Sequence, residues 1–292
     1  MPRVLSDPAG IRATVDALRA DGQRIGFVPT MGALHAGHRS LMRAARAGGS
    51  DVVIVSIYVN PLQFGPNEDL AKYPRPREAD LAACDAEGVD IVLYLRDDDM
   101  VPKGFASFVE VAGLGDHLCG ASRPGHFRGV TTIVTKLFHL AKPHAAWFGQ
   151  KDAQQALILR RMTRELDFGI ELHIVPTMRE PDGLAMSSRN AYLSPADRAT
   201  ATALSRGLQL ATAAHTAGER NAGRLRDVAL GPIRDAAAAG MRLDYLELAD
   251  IDSLTPLAAD ASVPDRVLVA GADYLGQTRL IDNALLPAGL VL

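Results

Sequence analysis

Hydrophobic positions in residues 1–175 follow two different periods. Nearly continuous apolar runs such as 51–59 are typical of strands that are covered on both faces. Apolar residues three and four apart, such as Ile11, Val15 and Leu18, predict helices that bury one face. The predicted strands are 25–29, 51–59, 90–95, 145–148 and 170–175, with weaker strand character at 107–111. The predicted helices begin near residues 8, 37, 77, 130 and 152.

Strands that alternate with single helices predict right-handed crossovers and a parallel sheet. The fold class is therefore α/β, with a five-stranded, Rossmann-like doubly wound sheet. After Pro176 the pattern changes to helices at 194–218 and 225–238, followed by short strands at 243–248, 266–270 and 279–282. Ser194 and Asp197 resemble a capping box at the start of the first of these helices. We expect two domains, 1–177 and 178–292, the second a smaller α+β lid.

Composition narrows the function class. The 292 residues are 48% hydrophobic and 22% charged with a net charge of −3, so a polybasic protein that coats nucleic acid or membrane is not expected. Aromatic residues make up 5%, too few for base-stacking platforms. No apolar run approaches the ~20 residues of a membrane span. Because the chain has only Cys84 and Cys119 and an N-terminus without a signal-peptide core, we expect a cytoplasmic enzyme.

The sharpest chemical feature is residues 29–38, which join the first of these predicted strands to the next helix. Ligands of open parallel sheets bind at this carboxyl edge. His35 and His38 share one face of the helix N-terminus, where N–H groups and the helix dipole favour an anion. Gly32 permits a tight turn before them. We predict a phosphate site. The alternative is that the two histidines form a helix-capping pair. A zinc site is not favoured, because no further histidine, cysteine or carboxylate cluster completes its four ligands.

Four other segments carry polar groups that suit a phosphorylated or anionic ligand: 60–64, 123–129, 149–152 and 186–190. Ser187, Ser188 and Arg189 can donate to phosphate oxygens. Lys151 can reach a phosphate, and Asp152 can cap a helix or bind a metal. Each segment alone also fits an ordinary loop or a helix cap. Four of the five segments fall at the carboxyl edge of the predicted sheet, and this convergence favours one pocket.

Two short strings resemble the signatures of class I adenylate-forming enzymes. His35-Ala36-Gly37-His38 resembles their HIGH motif, and Met186-Ser187-Ser188-Arg189 is similar to their KMSKS-type flap. Longer segments at 28–35, 60–64, 122–130, 182–190 and 279–283 resemble the pantothenate synthetase family over essentially the whole chain. The resemblance implies ATP-dependent condensation of pantoate with β-alanine through a pantoyl adenylate, releasing AMP and pyrophosphate. It also implies Mg²⁺ and a homodimer formed mainly through the N-terminal domain.

The resemblance also implies residue roles. His38 is the residue that the family assigns as proton donor, which we interpret as hydrogen-bond donation to phosphate. Catalytic charge stabilisation is expected from His35, His38, Lys151, Ser187, Ser188 and Arg189. The implied ATP contacts are Met31, Gly32, Ala33, Leu34, His35, Ala36, Gly37, His38, Gly149, Gln150, Lys151, Asp152, Met178, Met186, Ser187, Ser188 and Arg189. Gln63 and Gln155 match pantoate-binding glutamines, with Gln63 also near β-alanine.

Gln150 departs from the glutamate that the family pattern leads us to expect, and we expect little effect because Lys151 and Asp152 are retained. Mg²⁺ is expected to be bound mainly through the ATP phosphates, with Asp152 as a candidate ligand.

Two other functions stay open: a nucleotidyltransferase acting on a phosphorylated substrate, and a non-catalytic nucleotide sensor. Gln63, Gln155 and the intact flap argue against the sensor.

Overall fold

Alternating strands and helices make up most of residues 1–175 in the computed structural model, which describes residues 1–66 and 68–292. The strands are β1 (Arg3–Leu5), β2 (Ile25–Thr30), β3 (Val52–Ile57), β4 (Ile91–Tyr94), β5 (Ala145–Gly149) and β6 (Glu171–Val175). The helices are α1 (Pro8–Ala20), α2 (Ala36–Ala47), α3 (Arg77–Ala86), α4 (Asp97–Met100), α5 (Cys119–Ser122), α6 (His126–Ala141) and α7 (Ala153–Glu165).

The six strands form one parallel sheet in the order β1-β4-β3-β2-β5-β6, which confirms the predicted doubly wound α/β class. Every residue of β3 is buried, as its continuous apolar run predicts. Leu41, Met42 and Ala45 of α2 pack on one face of this sheet in a core that includes Trp147 of β5. The sheet therefore fixes where β2, β3 and β5 end, and the candidate motifs follow those ends.

The prediction of five strands was wrong by one, because β1 has only three residues and no readable period. The predicted strand at 107–111 is absent among the described residues. The amide of Val109 donates to Thr132 Oγ1 at 3.0 Å, and its carbonyl accepts from Thr131 Oγ1 at 2.5 Å. Side chains of α6 therefore provide the partners that a neighbouring strand would have provided.

Residues 176–292 hold helices α8 (Pro195–Ala201), α9 (Ala203–Thr216) and α10 (Ala222–Ala236) and strands β7 (Met241–Asp250), β8 (Val267–Leu275) and β9 (Thr278–Leu286). The strands form an antiparallel sheet in the order β7-β8-β9. The Ser194–Asp197 capping box is present. The single helix predicted at 194–218 is instead two helices that meet at Thr202, whose hydroxyl donates back to the carbonyl of Ala199 at 2.8 Å.

The chain divides into two compact units. The first unit comprises Met1–Val111, Arg123–Gly149 and Ile158–Val175. The second unit comprises Ala112–Ser122, Gln150–Leu157 and Pro176–Leu292. A single boundary after residue 177 does not anticipate the two short segments that join the second unit. No helix in the described part of the chain is long and apolar enough to cross a membrane.

Candidate active site

The turn that follows β2 is held by a buried carboxylate. Gly32 and Ala33 both adopt left-handed backbone conformations, with φ of 81° and 49°. Asp80 of α3 is 2% exposed and accepts hydrogen bonds from the amides of Ala33 at 3.0 Å and Leu34 at 2.8 Å. Burial raises the pKa of Asp80, and the two amide hydrogen bonds act in the opposite direction. The turn is therefore preorganised without any ligand.

Sequence reasoning missed Asp80. The available signal was its spacing, because Asp80 lies one helical turn before Cys84 and both residues are buried. A charged side chain on the buried face of a helix needs a partner, and the nearby turn provides two amide donors.

We expect Asp80→Ala to raise the KM for ATP about tenfold, which corresponds to about 1.4 kcal/mol. The change leaves two amides without their acceptor, so we also expect unfolding to become easier by about 2 kcal/mol. Steady-state kinetics and urea denaturation measure both effects. Glu78→Ala, at an exposed position of the same helix, is the matched control. An unchanged KM for ATP in Asp80→Ala would remove the turn from ATP binding.

His35 and His38 cap the N-terminus of α2 reciprocally. The Nδ1 atom of His35 accepts from the amide of Gly37 at 3.1 Å, and the Nδ1 atom of His38 accepts from the amide of His35 at 3.3 Å. Their ring centroids lie 4.0 Å apart. Because each Nδ1 accepts, the proton of each neutral ring is assigned to Nε2, the nitrogen that can donate to an anion. The capping alternative is thus correct, and it is compatible with phosphate binding.

Gln63 is oriented by its neighbours in the first unit. It ends a short 3₁₀ turn, Pro61–Gln63, after β3. Its Oε1 accepts from Asn60 Nδ2 at 2.9 Å, and the same Nδ2 donates to the carbonyl of Gly129 at 3.1 Å. Its Nε2 lies 3.3 Å from Met31 Sδ. The structure therefore brings together Gln63 and Met31, two of the predicted contact residues.

The basic loop at 123–129 contacts the Pro61–Gln63 turn and supports it. Arg123 Nε donates to Glu68 Oε1 at 2.6 Å, and Arg123 Nη2 donates to the carbonyl of Gln63 at 3.1 Å. His126 Nδ1 lies 2.8 Å from the same carbonyl oxygen. Burial acts to raise the pKa of Glu68, but hydrogen bonds and charge from Arg123 hold it below its ordinary value. Arg123 and His126 thus support the backbone of Gln63.

The Gln150–Asp152 segment is a 3₁₀ turn in the second unit, directly after β5. Lys151 Nζ lies 4.0 Å from Asp152 Oδ2. Of the two glutamines that follow, Gln154 is buried and bonds to the carbonyls of Leu114 and His117, both at 2.8 Å. Gln155 is half-buried and keeps the predicted substrate role as a proposal.

The flap motif begins with a short hairpin of the second unit. The amide of Met186 donates to the carbonyl of Met178 at 3.0 Å, and the amide of Glu180 donates to the carbonyl of Leu184 at 2.8 Å. The connecting turn has Gly183 at φ 91°. Residues 180–183 therefore form the turn of this hairpin.

Two buried polar residues hold the hairpin in the second unit. Asp282, on β9, pairs with Arg179 through contacts of 2.6 and 3.0 Å. Asn190 Nδ2 donates to Glu180 Oε1 at 2.7 Å and to the carbonyl of Ala185 at 3.0 Å. Ser187 Oγ accepts from the amide of Arg189 at 3.2 Å and begins the 3₁₀ turn Ser188–Tyr192. The backbone on which Ser187, Ser188 and Arg189 lie is thus well anchored.

The predicted contacts are distributed over both units. The first unit holds Met31–His38, Gln63 and Gly149, and the second holds Gln150–Asp152, Gln155, Met178 and Met186–Arg189. Among residues 1–66 and 68–292, no group of three or more histidine, cysteine or acidic side chains is placed to hold a metal ion.

Comparison with known proteins identifies close relatives. A family model described as pantoate-beta-alanine ligase matches residues 3–285. The pantothenate synthetase of Moorella thermoacetica is 51% identical over 283 residues, which are 97% of this chain and 98% of that protein. The pantothenate synthetase of Geobacter sulfurreducens is 47% identical, with 97% and 98% covered.

Solved structures agree with the sequence matches. The pantothenate synthetase of Thermus thermophilus has a TM-score of 0.89 and 42% identity, covering 97% of this chain and 98% of its own. The pantoate-beta-alanine ligase of Francisella tularensis, solved in complex with beta-gamma ATP and beta-alanine, has a TM-score of 0.79 and 31% identity, with 98% of each chain covered.

Proposed function

Because the chain belongs to the pantoate–beta-alanine ligase family, we propose how its residues catalyse the ATP-dependent ligation of pantoate and β-alanine. The observation that carries the proposal is the reciprocal capping of His35 and His38, which commits each Nδ1 to the helix and assigns each proton to Nε2. Two imidazole donors at a helix N-terminus suit a triphosphate. The preorganised turn held by Asp80 precedes them.

The first step is adenylation of pantoate. A pantoate carboxylate oxygen forms a bond to the α-phosphorus of ATP, and the bond to the leaving pyrophosphate breaks. Negative charge grows on the phosphoryl oxygens and on pyrophosphate, so donors that bind this charge more tightly than ground-state ATP accelerate the step. His35 and His38 provide such donors from the first unit. Lys151, Ser187, Ser188 and Arg189 provide them from the second.

Positioning is the second contribution of the site. Little proton transfer is needed for adenylation, so orientation of the two reactants carries much of the rate enhancement. Gln63 binds pantoate in this proposal, and its amide is already oriented by Asn60. Gln155 is the second pantoate contact. The amine of β-alanine, after losing a proton to solvent, then attacks the carbonyl carbon of the mixed anhydride. The carbon–nitrogen bond forms, the bond from that carbon to the phosphate oxygen breaks, the nitrogen releases a second proton to solvent, and AMP leaves.

The remaining assignments belong to the same proposal. The site fits Mg²⁺ bound mainly through ATP phosphates, because Asp152 carries a partly exposed carboxylate and Mg²⁺ uses one or two carboxylates together with substrate phosphates. Bound Mg²⁺ would offset the charge of the triphosphate. We further propose that 1–177 binds ATP and pantoate, that 178–292 acts as a lid, and that the enzyme is a cytoplasmic homodimer.

Product analysis tests the proposed reaction. With ATP, pantoate, β-alanine and Mg²⁺, we expect equal amounts of AMP, pyrophosphate and pantothenate, and no product that retains adenylate. Omitting pantoate is the control and should abolish AMP release. A product that keeps the adenylate group would identify a nucleotidyltransferase instead. ATP binding without any turnover would identify a nucleotide sensor.

A further inference from the structure

The side chain of Asn283 is hydrogen-bonded to the segment that carries Lys151. Asn283 lies on β9 in the second unit and is 3% exposed. Its Nδ2 donates to the carbonyl of Gln150 at 2.8 Å and to the carbonyl of Lys151 at 3.0 Å. Its Oδ1 accepts from Gln150 Nε2 at 3.2 Å. The two N–H groups of this buried side-chain amide therefore donate to two consecutive backbone carbonyls of the proposed ATP-binding segment.

The preceding residue of the same strand, Asp282, forms an ion pair with the hairpin that leads to the flap. Neighbouring side chains of a strand point to opposite faces, so Asp282 and Asn283 reach different segments. Asp282 binds Arg179, and Arg179 Nη1 also donates to the carbonyl of Gly183 at 3.1 Å. Asp282 Oδ1 further accepts from the amide of Asn283 at 2.8 Å. Two consecutive residues of β9 thus hold the Lys151 segment and the hairpin that leads to Arg189.

The strand itself is a rigid support for both contacts. β9 pairs with β8 in a continuous antiparallel register, in which Asn283 lies opposite Ala270 and Asp282 lies opposite Gly271. Side chains held by packing and by hydrogen bonds on a regular element keep a catalytic group in place more accurately than a loop does. The spacing between the two proposed phosphate-binding segments is therefore set by this strand.

We propose that Asn283 is a positioning residue for adenylation, which places the Lys151 ammonium relative to the flap, and that Gln150 is its partner in this chain. The proposal rests on the role of Lys151 in the proposed function. Asn283 acts through the backbone carbonyls of Gln150 and Lys151. Its neighbour on β9, Asp282, binds Arg179 and so holds the hairpin that leads to the flap. Its removal would let the ammonium move away from the charge that develops on the phosphates.

The presence of glutamine at position 150 follows from this arrangement. The Nδ2 of Asn283 is committed to two carbonyls, so its Oδ1 must face residue 150. Only a side chain that donates can then bind it, and Gln150 Nε2 does so. An ionised glutamate would direct a carboxylate at the Oδ1 atom, with no proton between them. The expectation that Gln150 has little effect is thus replaced by a defined positioning role.

A double-mutant cycle tests the proposal. We expect Asn283→Ala to lower kcat for pantoate-dependent pyrophosphate exchange by about tenfold or more, because small misplacements of a catalytic group are costly. The KM for pantoate should stay within about twofold of the wild-type value, because the variant replaces neither of the proposed pantoate contacts, Gln63 and Gln155. In a Lys151→Ala background, adding Asn283→Ala should lower kcat no further, since the positioned group is gone.

Gln150→Ala is the milder second variant, which removes a single side-chain hydrogen bond. It should lower kcat by a few-fold, and this loss should also vanish in the Lys151→Ala background. This variant keeps the test decisive if Asn283→Ala does not fold. Asn221→Ala is the matched control in the same unit, because the side chain of Asn221 caps α10 by accepting from the amide of Arg224. It should lower stability and leave kcat unchanged in either background.

The outcomes separate this proposal from the proposed function. The proposal is overturned if Asn283→Ala or Gln150→Ala leaves kcat unchanged, or lowers it by the same factor with and without Lys151. A wild-type enzyme that shows no exchange, or a Lys151→Ala variant as active as the wild type, would instead overturn the proposed function. The proposal is supported when Lys151→Ala is impaired and the loss caused by Asn283→Ala disappears in that background.

Discussion

Replacing His38 by alanine is expected to lower kcat for pantoate-dependent pyrophosphate exchange by a factor of about 100 to 1,000. Removal of one donor that stabilises transition-state charge costs roughly 3 kcal/mol, and each 1.36 kcal/mol is tenfold in rate. The proposed function assigns this role to the Nε2–H of His38, because its Nδ1 accepts from the amide of His35. Single-turnover and steady-state exchange assays measure the loss.

The alanine variant alone does not separate catalysis from helix capping, because His38 caps α2 and, in the proposed function, also donates to the phosphate charge. His38→Asn is the matched variant, since its side-chain oxygen can still accept from the amide of His35 while the Nε2–H donor is lost. We expect His38→Asn to unfold at a temperature close to that of the wild type and to be as slow as His38→Ala. Wild-type turnover in both variants would remove His38 from the mechanism.

Asp273→Asn is expected to stabilise the protein by about 4 kcal/mol at pH 8 and to have little effect near pH 4. Asp273 lies on β8, is fully buried, and neither carboxylate oxygen has a hydrogen-bond partner among the described residues. Burial raises its pKa from the ordinary 3.8 to about 7; the nearby charge of Asp282 raises the pKa further, and Arg279 acts in the opposite direction. Ionisation of Asp273 therefore costs more in the folded state than in the unfolded state.

The direction of the pH dependence follows from proton binding. Well below its ordinary pKa of 3.8 the carboxyl is protonated in both states and has no effect on the free energy of unfolding. Between pH 4 and 7 the folded state binds more protons, so wild-type stability falls as pH rises, by 1.36 kcal/mol for each unit of pKa difference. The three-unit difference corresponds to about 4 kcal/mol, which is lost fully above pH 7.

Urea denaturation of wild type and Asp273→Asn at pH 5, 6, 7 and 8 measures this effect. The difference in unfolding free energy should increase with each step up to pH 7 and then level off. Asp260→Asn, at an exposed position of the same unit, is the control for removing one negative charge. A difference between Asp273→Asn and wild type that is the same at all four values would contradict the assignment.

The sequence was sufficient for features that depend on local patterns. The apolar run of β3, the Ser194 capping box and the buried Ile11 and Val15 of α1 are all readable from local patterns and confirmed in the structure. The three residues of β1 are not, because a strand that short has no period. The separation of α8 from α9 also escaped, since Thr202 ends one helix while the next begins directly after it.

The supporting residues of the site depend on contacts between distant parts of the chain. Asp80 is 46 residues from Leu34, and Asn283 is 133 residues from Gln150. The spacing of Asp80 from Cys84 indicates that Asp80 faces the core. The sequence names the partner of neither Asp80 nor Asn283, because each contact is created only when the fold places one element beside another. The proposed phosphate-binding motifs can be located in the sequence, because such motifs need particular residue types at the ends of strands; their role stays a prediction. Residues that orient those motifs need only a partner, which the sequence does not reveal.

The proposed mechanism requires that an adenylate forms from pantoate before β-alanine reacts. The direct test is exchange of labelled pyrophosphate into ATP with pantoate present and β-alanine absent. We expect exchange that requires pantoate, proceeds without β-alanine, and does not occur with other small hydroxy acids. Formation of ADP, or exchange that requires β-alanine, would contradict it.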